Sequence, residues 1–163
     1  MTKPIKILLM VIVIVPAVFF GGAFCLLGMN ALARHGPHRR TSPIFMLRML
    51  NAMEREYSAT YPDRGFAWSL ENLGGNLNAG PPTADAAQLI PEDVASGNKA
   101  GYTLSFTGCT KSIVNNKARV TGYKIIAVPN VKNRSGDYGF CTDESAQIRY
   151  DPNGGTNYTE LLK

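Results

Sequence analysis

From Ile7 to Ala33 the chain carries no charged side chain. The dense part of that run, Ile7–Leu27, meets the roughly 20 apolar residues that a helix needs to cross a bilayer core. Ile7, Val11, Pro16, Phe20 and Leu27 mark the expected membrane anchor, since a proline is tolerated inside such a span. A polar linker, Arg34 to Arg40, follows. Ser42-Pro43 then predicts a helix start, with serine as cap and proline at the first helical position. Met46, Leu50, Met53 and Tyr57 recur at helical spacing as one apolar stripe, the face expected to lie on a sheet. Tyr61-Pro62 ends that helix, because the residue before a proline resists the α region.

Residues 62–83 are rich in glycine, proline and asparagine and predict a loop, pinned to the core by Phe66 and Trp68. Ser69 to Leu73 predicts one helical turn. Asp85 to Ala95 predicts a second short helix, interrupted at Pro91 and closed by Gly97. Beyond that point the period becomes two. Tyr102, Leu104 and Phe106 alternate with Thr103, Ser105 and Thr107, and Tyr123, Ile125 and Ala127 with Lys124, Ile126 and Val128, the pattern of strands with at least one buried face. Tyr138 to Thr142 and Gln147 to Tyr150 flank the polar Asp143–Ala146 and predict a hairpin. The tail from Asp151 reads as irregular. Helices first and strands later predict an α+β fold: an N-terminal transmembrane helix, then a helix packed on an antiparallel sheet of three to four strands. The expected division is 1–40 for anchor and linker and 41–163 for the folded domain.

Charge sharpens this division. The net charge is +5, and all of it comes from Lys3, Lys6, Arg34, Arg39 and Arg40. Residues 41–163 balance twelve basic against twelve acidic side chains. A nucleic-acid binder carries its basic stripe on the folded domain, so no nucleic-acid partner is expected, and the lipid bilayer is. Lys3 and Lys6 on one side balance Arg34, Arg39 and Arg40 on the other, so charge alone leaves the orientation of the span open. A cleaved signal peptide, with Ala31-Leu32-Ala33 as its small-x-small site, is the rival reading; its apolar core is usually only about 7–15 residues, which favours an uncleaved signal anchor.

Candidate chemistry is sparse. Cys109 and Cys141 are either a disulfide pair in an extracytoplasmic domain or two unrelated thiols. Both histidines, His35 and His38, sit in the basic linker and there is no C-x-x-C, so no metal site and no cofactor is expected. Asp143-Glu144 is an ordinary turn, and Ser145 lacks a nucleophile-elbow context; the chain reads as non-catalytic. A calcium-binding role for Asp143, Glu144, Asp151 and Asn153 has the right oxygen ligands, but Asp151-Pro152-Asn153-Gly154 matches a calcium loop poorly.

Met46-Leu47-Arg48-Met49-Leu50-Asn51-Ala52-Met53-Glu54, Tyr57, Thr60-Tyr61-Pro62, Arg64-Gly65-Phe66-Ala67, Ser69-Leu70 and Leu73-Gly74-Gly75 form one ordered series. Leu89-Ile90, Val94 to Gly97, Lys99 to Tyr102, Gly122-Tyr123, Ala127 to Pro129, Phe140, Thr142-Asp143, Ser145 and Ile148-Arg149 continue it. Together they resemble bacterial type IV pilin-like and pseudopilin-like proteins over roughly residues 46–150. The resemblance implies a pilin-like fold, a cytoplasmic N-terminus, and a single-pass inner-membrane protein with its soluble domain periplasmic or extracellular. It suits a Cys109–Cys141 bridge, because pilin domains often close their C-terminal region with a disulfide. The prepilin processing motif is not matched, since Gly21, Gly22 and Gly28 lie deep in or after the apolar run and not before it, and no acidic residue precedes Glu54. The expected function is a membrane-anchored structural or interaction module of the cell envelope, with partners in a pilus or secretion assembly. The alternative is a minor pilin or pseudopilin subunit of a type IV pilus or type II secretion filament.

Overall fold

A computed structural model describes residues 42–162. Helix α1 spans Pro43–Thr60. Pro43 occupies its first turn, where a missing N–H costs nothing, and the Tyr61 N–H closes it on the Tyr57 carbonyl at 2.8 Å. Two single-turn helices follow, α2 at Leu70–Leu73 and α3 at Glu92–Ala95. Ser69 caps α2 by accepting the Asn72 N–H. Of the segment Asp85 to Ala95, only Glu92–Ala95 is helical, because Pro91 ends the extended chain before it and serves as the cap position.

The strands are β1 (Asn98–Lys99), β2 (Tyr102–Val114), β3 (Lys117–Pro129), β4 (Gly139–Asp143), β5 (Ile148–Asp151) and β6 (Glu160–Leu161). They form one antiparallel sheet in the order β1-β2-β3-β4-β5-β6. The expected sheet of three to four strands is therefore corrected to six. The difference lies at its two edges, where β1 and β6 hold two residues each. They are fixed by backbone pairing to Tyr102–Thr103 and Arg149–Tyr150, not by any hydrophobic pattern of their own.

Register assigns the faces. Leu104, Ala127, Phe140 and Tyr150 stand opposite one another across four strands, as do Phe106, Ile125, Thr142 and Ile148. This face meets α1. Met46, Leu47, Leu50 and Tyr57 are buried there, and Met53 is partly buried against the same core. Fully burying a side chain such as Leu50 contributes about 1.5–3 kcal/mol. Ser105, Ile126, Cys141 and Arg149 line up on the opposite face.

Three further expectations are corrected. Among the described residues no helix is long and apolar enough to cross a membrane; α1 carries Arg48, Glu54, Arg55 and Glu56. The residues expected to form the anchor (Ile7, Val11, Pro16, Phe20 and Leu27) lie outside the described residues. The single-pass inner-membrane placement thus has no spanning helix among the described residues to support it and is withdrawn. The pilin-like arrangement expected with it is replaced by the six-stranded meander. Finally, among the described residues Cys109 and Cys141 are both free thiols, not joined to each other. Cys109 pairs with Tyr123 and Cys141 with Ile126 of β3, so one strand separates them. Tyr123 and Ile126 are three residues apart, which places the two cysteines on opposite faces of the sheet. A disulfide needs Cα atoms within about 7 Å and converging side chains.

Candidate functional site

Two features of the domain are not explained by core packing alone. The first is a polar seam under α1. Asn51 and Glu54 lie on the helix face that carries Met46, Leu47, Leu50 and Tyr57, and both are buried. The Asn51 side chain donates to Thr142 Oγ1 at 2.7 Å and accepts from the Tyr123 hydroxyl at 3.0 Å. Thr142 passes the chain on to the Gln147 carbonyl at 3.0 Å. Helix, β3, β4 and the β4–β5 turn are thereby joined through one relay of hydrogen bonds, each buried donor meeting an acceptor.

Glu54 is 0% exposed. Its Oε2 accepts the Ala67 N–H at 2.9 Å, and Oε1 has no hydrogen-bond partner among the described residues. Burial raises its pKa to about 8, with the Ala67 N–H pulling the other way, so the group is mostly an uncharged acid at neutral pH. Burial also raises the Tyr123 phenol and the Cys109 thiol. The seam is sealed beneath the helix. Its chemistry ties elements together, and its surroundings suppress ionisation instead of promoting it.

The second feature is an arm. β3 meets β4 only from Lys124 to Ala127, yet β2 and β3 stay paired out to Val114 and Lys117. The hairpin therefore runs on past the end of β4. Asn115 and Asn116 turn it with φ of 51° and 60°, the two positive values of a type I′ turn. At the tip Ile113 is 73% exposed, and Val114 is exposed beside it. Lys111, Lys117 and Lys124 are exposed and Arg119 half-buried. From Gly108 to Lys124 there are four basic residues and no acid, which leaves the rest of 41–163 with an excess of four acids.

The base of the arm is braced on one edge. The end of the turn after α1, Arg64–Phe66, lies beside β3: the Val120 N–H donates to the Arg64 carbonyl at 2.9 Å, and the Phe66 N–H donates to the Val120 carbonyl at 3.0 Å. Gly65 bridges to Val120 with φ of +77°, in a gap too small for a Cβ. Lys117 reaches Asp63 at 2.5 Å and holds its carboxyl below the usual range. Trp68 has the Arg64 guanidinium 5.6 Å and the Lys111 ammonium 5.7 Å from its ring centre, within cation–π reach.

The remaining residues considered for chemistry do not assemble. The Glu144 carboxylate accepts the Tyr123 N–H at 3.3 Å, and Asp143 accepts from the Ser145 N–H at 3.0 Å. The Asp151 carboxylate takes the N–H groups of Asn153 and Asn157 at 2.8 and 2.9 Å, which lower its pKa. The carboxylates singled out as calcium ligands thus each receive backbone N–H donors in separate places, and the Asn153 backbone serves as one of those donors. No group of acids, histidines or cysteines among the described residues could hold a metal. Cys141 lies on the face away from α1, with Tyr158 close enough to feel its charge; burial pushes the Tyr158 phenol up to about 12.

Sequence reasoning left the arm and Glu54 unassigned. Asn115-Asn116 was a usable turn signal. Glu54 gave none beyond its place three residues before Tyr57. No family model, no curated protein and no solved structure matches the chain, so the resemblance to pilin-like proteins rests on the sequence pieces quoted above.

Proposed function

We propose that this domain is a non-catalytic protein-interaction module whose contact surface is the β2–β3 arm. The observation that carries this reading is the combination of an exposed apolar tip, Ile113-Val114, with a purely basic hairpin on a domain otherwise rich in acid. A solitary exposed isoleucine is ordinary. An apolar tip on a hairpin with an excess of basic side chains, even with Lys117 paired to Asp63, supplies a contact that excludes water, together with charges that select and steer the partner. The sealed seam under α1 supports the same reading, because it rigidifies the base from which the arm projects.

Site-specific photo-crosslinking in cells tests this. A benzophenone side chain replacing Ile113 should give a discrete adduct, and the same group at the exposed Glu71 of α2 should not. Equal, diffuse labelling from both positions would discard the reading.

A further inference from the structure

The arm has two edges, and only one is covered. On β3 the outward N–H and C=O of Val120 are taken by Phe66 and Arg64. Val120 stands opposite Lys111. In an antiparallel ladder a residue that turns both groups away from its partner strand faces one that does the same. Lys111 therefore aims its own N–H and C=O outward, on the far side of β2. The tip gives the same parity: a two-residue turn is flanked by a pair that exchanges both hydrogen bonds, here Val114 and Lys117, so Ile113 again faces out. β1 covers β2 only at Tyr102 and Thr103, and Leu104 is the last residue of β2 whose N–H is taken from that side, by the Gly97 carbonyl at 2.7 Å. From Gly108 to Val114 no strand lies on this edge among the described residues, and all but Cys109 are exposed.

We infer that the open edge of β2 at Gly108–Val114 takes up an acidic, extended polypeptide segment as an added strand. This rests on the arm being the interaction surface, and it names the partner's chemistry. Backbone hydrogen bonds at Lys111 and Ile113 supply the docking, as Arg64–Phe66 already does on the other edge of the hairpin. Lys111, Arg119 and Lys124 supply the preference for acid, Lys117 being already paired with Asp63. A second copy of the chain is disfavoured on this edge, because its own Lys111 would arrive against like charge, the usual protection of an exposed strand.

The test uses the full-length protein and an eight-residue peptide of alternating valine and glutamate, with alternating valine and lysine as control. The acidic peptide should bind, more weakly as salt rises, and should slow hydrogen exchange at Lys111 and Ile113. The basic peptide should do neither. Ile113→Pro removes one outward N–H without touching the ladder to β3 and should weaken binding about tenfold, the scale of one or two hydrogen bonds. Lys111→Glu should weaken it with the hydrogen-exchange protection of the β2–β3 ladder retained. Equal binding of both peptides, protection elsewhere on the domain, or no binding would overturn strand addition. If the Ile113 crosslink persists while the peptide fails, the interaction surface stands and only the strand mode falls; if both fail, both are lost.

Discussion

Glu54 Oε2 accepts the backbone N–H of Ala67 at 2.9 Å, tying the middle of α1 to the loop that returns beneath it. The bond joins a helix to the segment that braces the arm, and it places an ionisable group where water does not reach. The folded-state pKa of Glu54 is raised from 4.5 to about 8. Its protonated form is therefore favoured by folding. Stability is fully present below about pH 4.5 and declines as pH rises toward 8. At about 1.4 kcal/mol per pKa unit the ceiling on this loss is about 5 kcal/mol. Urea unfolding at pH 5 and pH 8 should show the difference, and Glu54→Gln should flatten it. A wild-type protein equally stable at both pH values would refute the assignment.

Asn51 bridges Tyr123 and Thr142, so its removal strands the buried Tyr123 hydroxyl and leaves Thr142 only its bond to Gln147. Asn51→Ala should cost about 2–4 kcal/mol and Tyr123→Phe about 1 kcal/mol. In a double-mutant cycle the pair should couple; strict additivity would mean that the relay does not act as a unit.

Gly65 combines a φ of +77° with a Cβ position that overlaps the Val120 carbonyl oxygen. Gly65→Ala should cost about 2–4 kcal/mol and loosen the braced edge of β3. Gly80, at φ +113° with nothing within 4 Å, should lose only the strain of its backbone, about 1–2 kcal/mol. Similar melting temperatures for the two variants would contradict the close approach.

Cys109 and Cys141 face opposite sides of the sheet, so reductant should leave the melting temperature unchanged. Under native conditions a thiol reagent should modify Cys109 well before the buried Cys141. A non-reducing mass lower by two hydrogens would show a bridge and sink this account.

Several elements were legible because they are amphipathic. Met46, Leu50 and Tyr57 mark α1, and the alternation at Tyr102–Phe106 and Tyr123–Ala127 lies within β2 and β3. The buried stripe is wider than its apolar members, however. Asn51 and Glu54 belong to it, and a polar residue on a buried face carries no periodic signal. The outer half of the β2–β3 hairpin was illegible for the opposite reason. From Thr110 to Ala118 every residue is exposed on both faces, so no burial pattern is imprinted, and only ladder geometry and the Asn115-Asn116 turn define it. The membrane and disulfide expectations came from composition and chain position, neither of which encodes which face of a sheet a side chain occupies.

Every strand of the meander pairs with its neighbour in the chain. The ladder can therefore zip up through short loop closures, each of small entropic cost. The longest-range side-chain hydrogen bond among the described residues is instead made by α1: Asn51 meets Thr142 across 91 residues. Contacts of such separation carry the larger closure cost, so docking of α1 on the sheet is the step expected to slow folding.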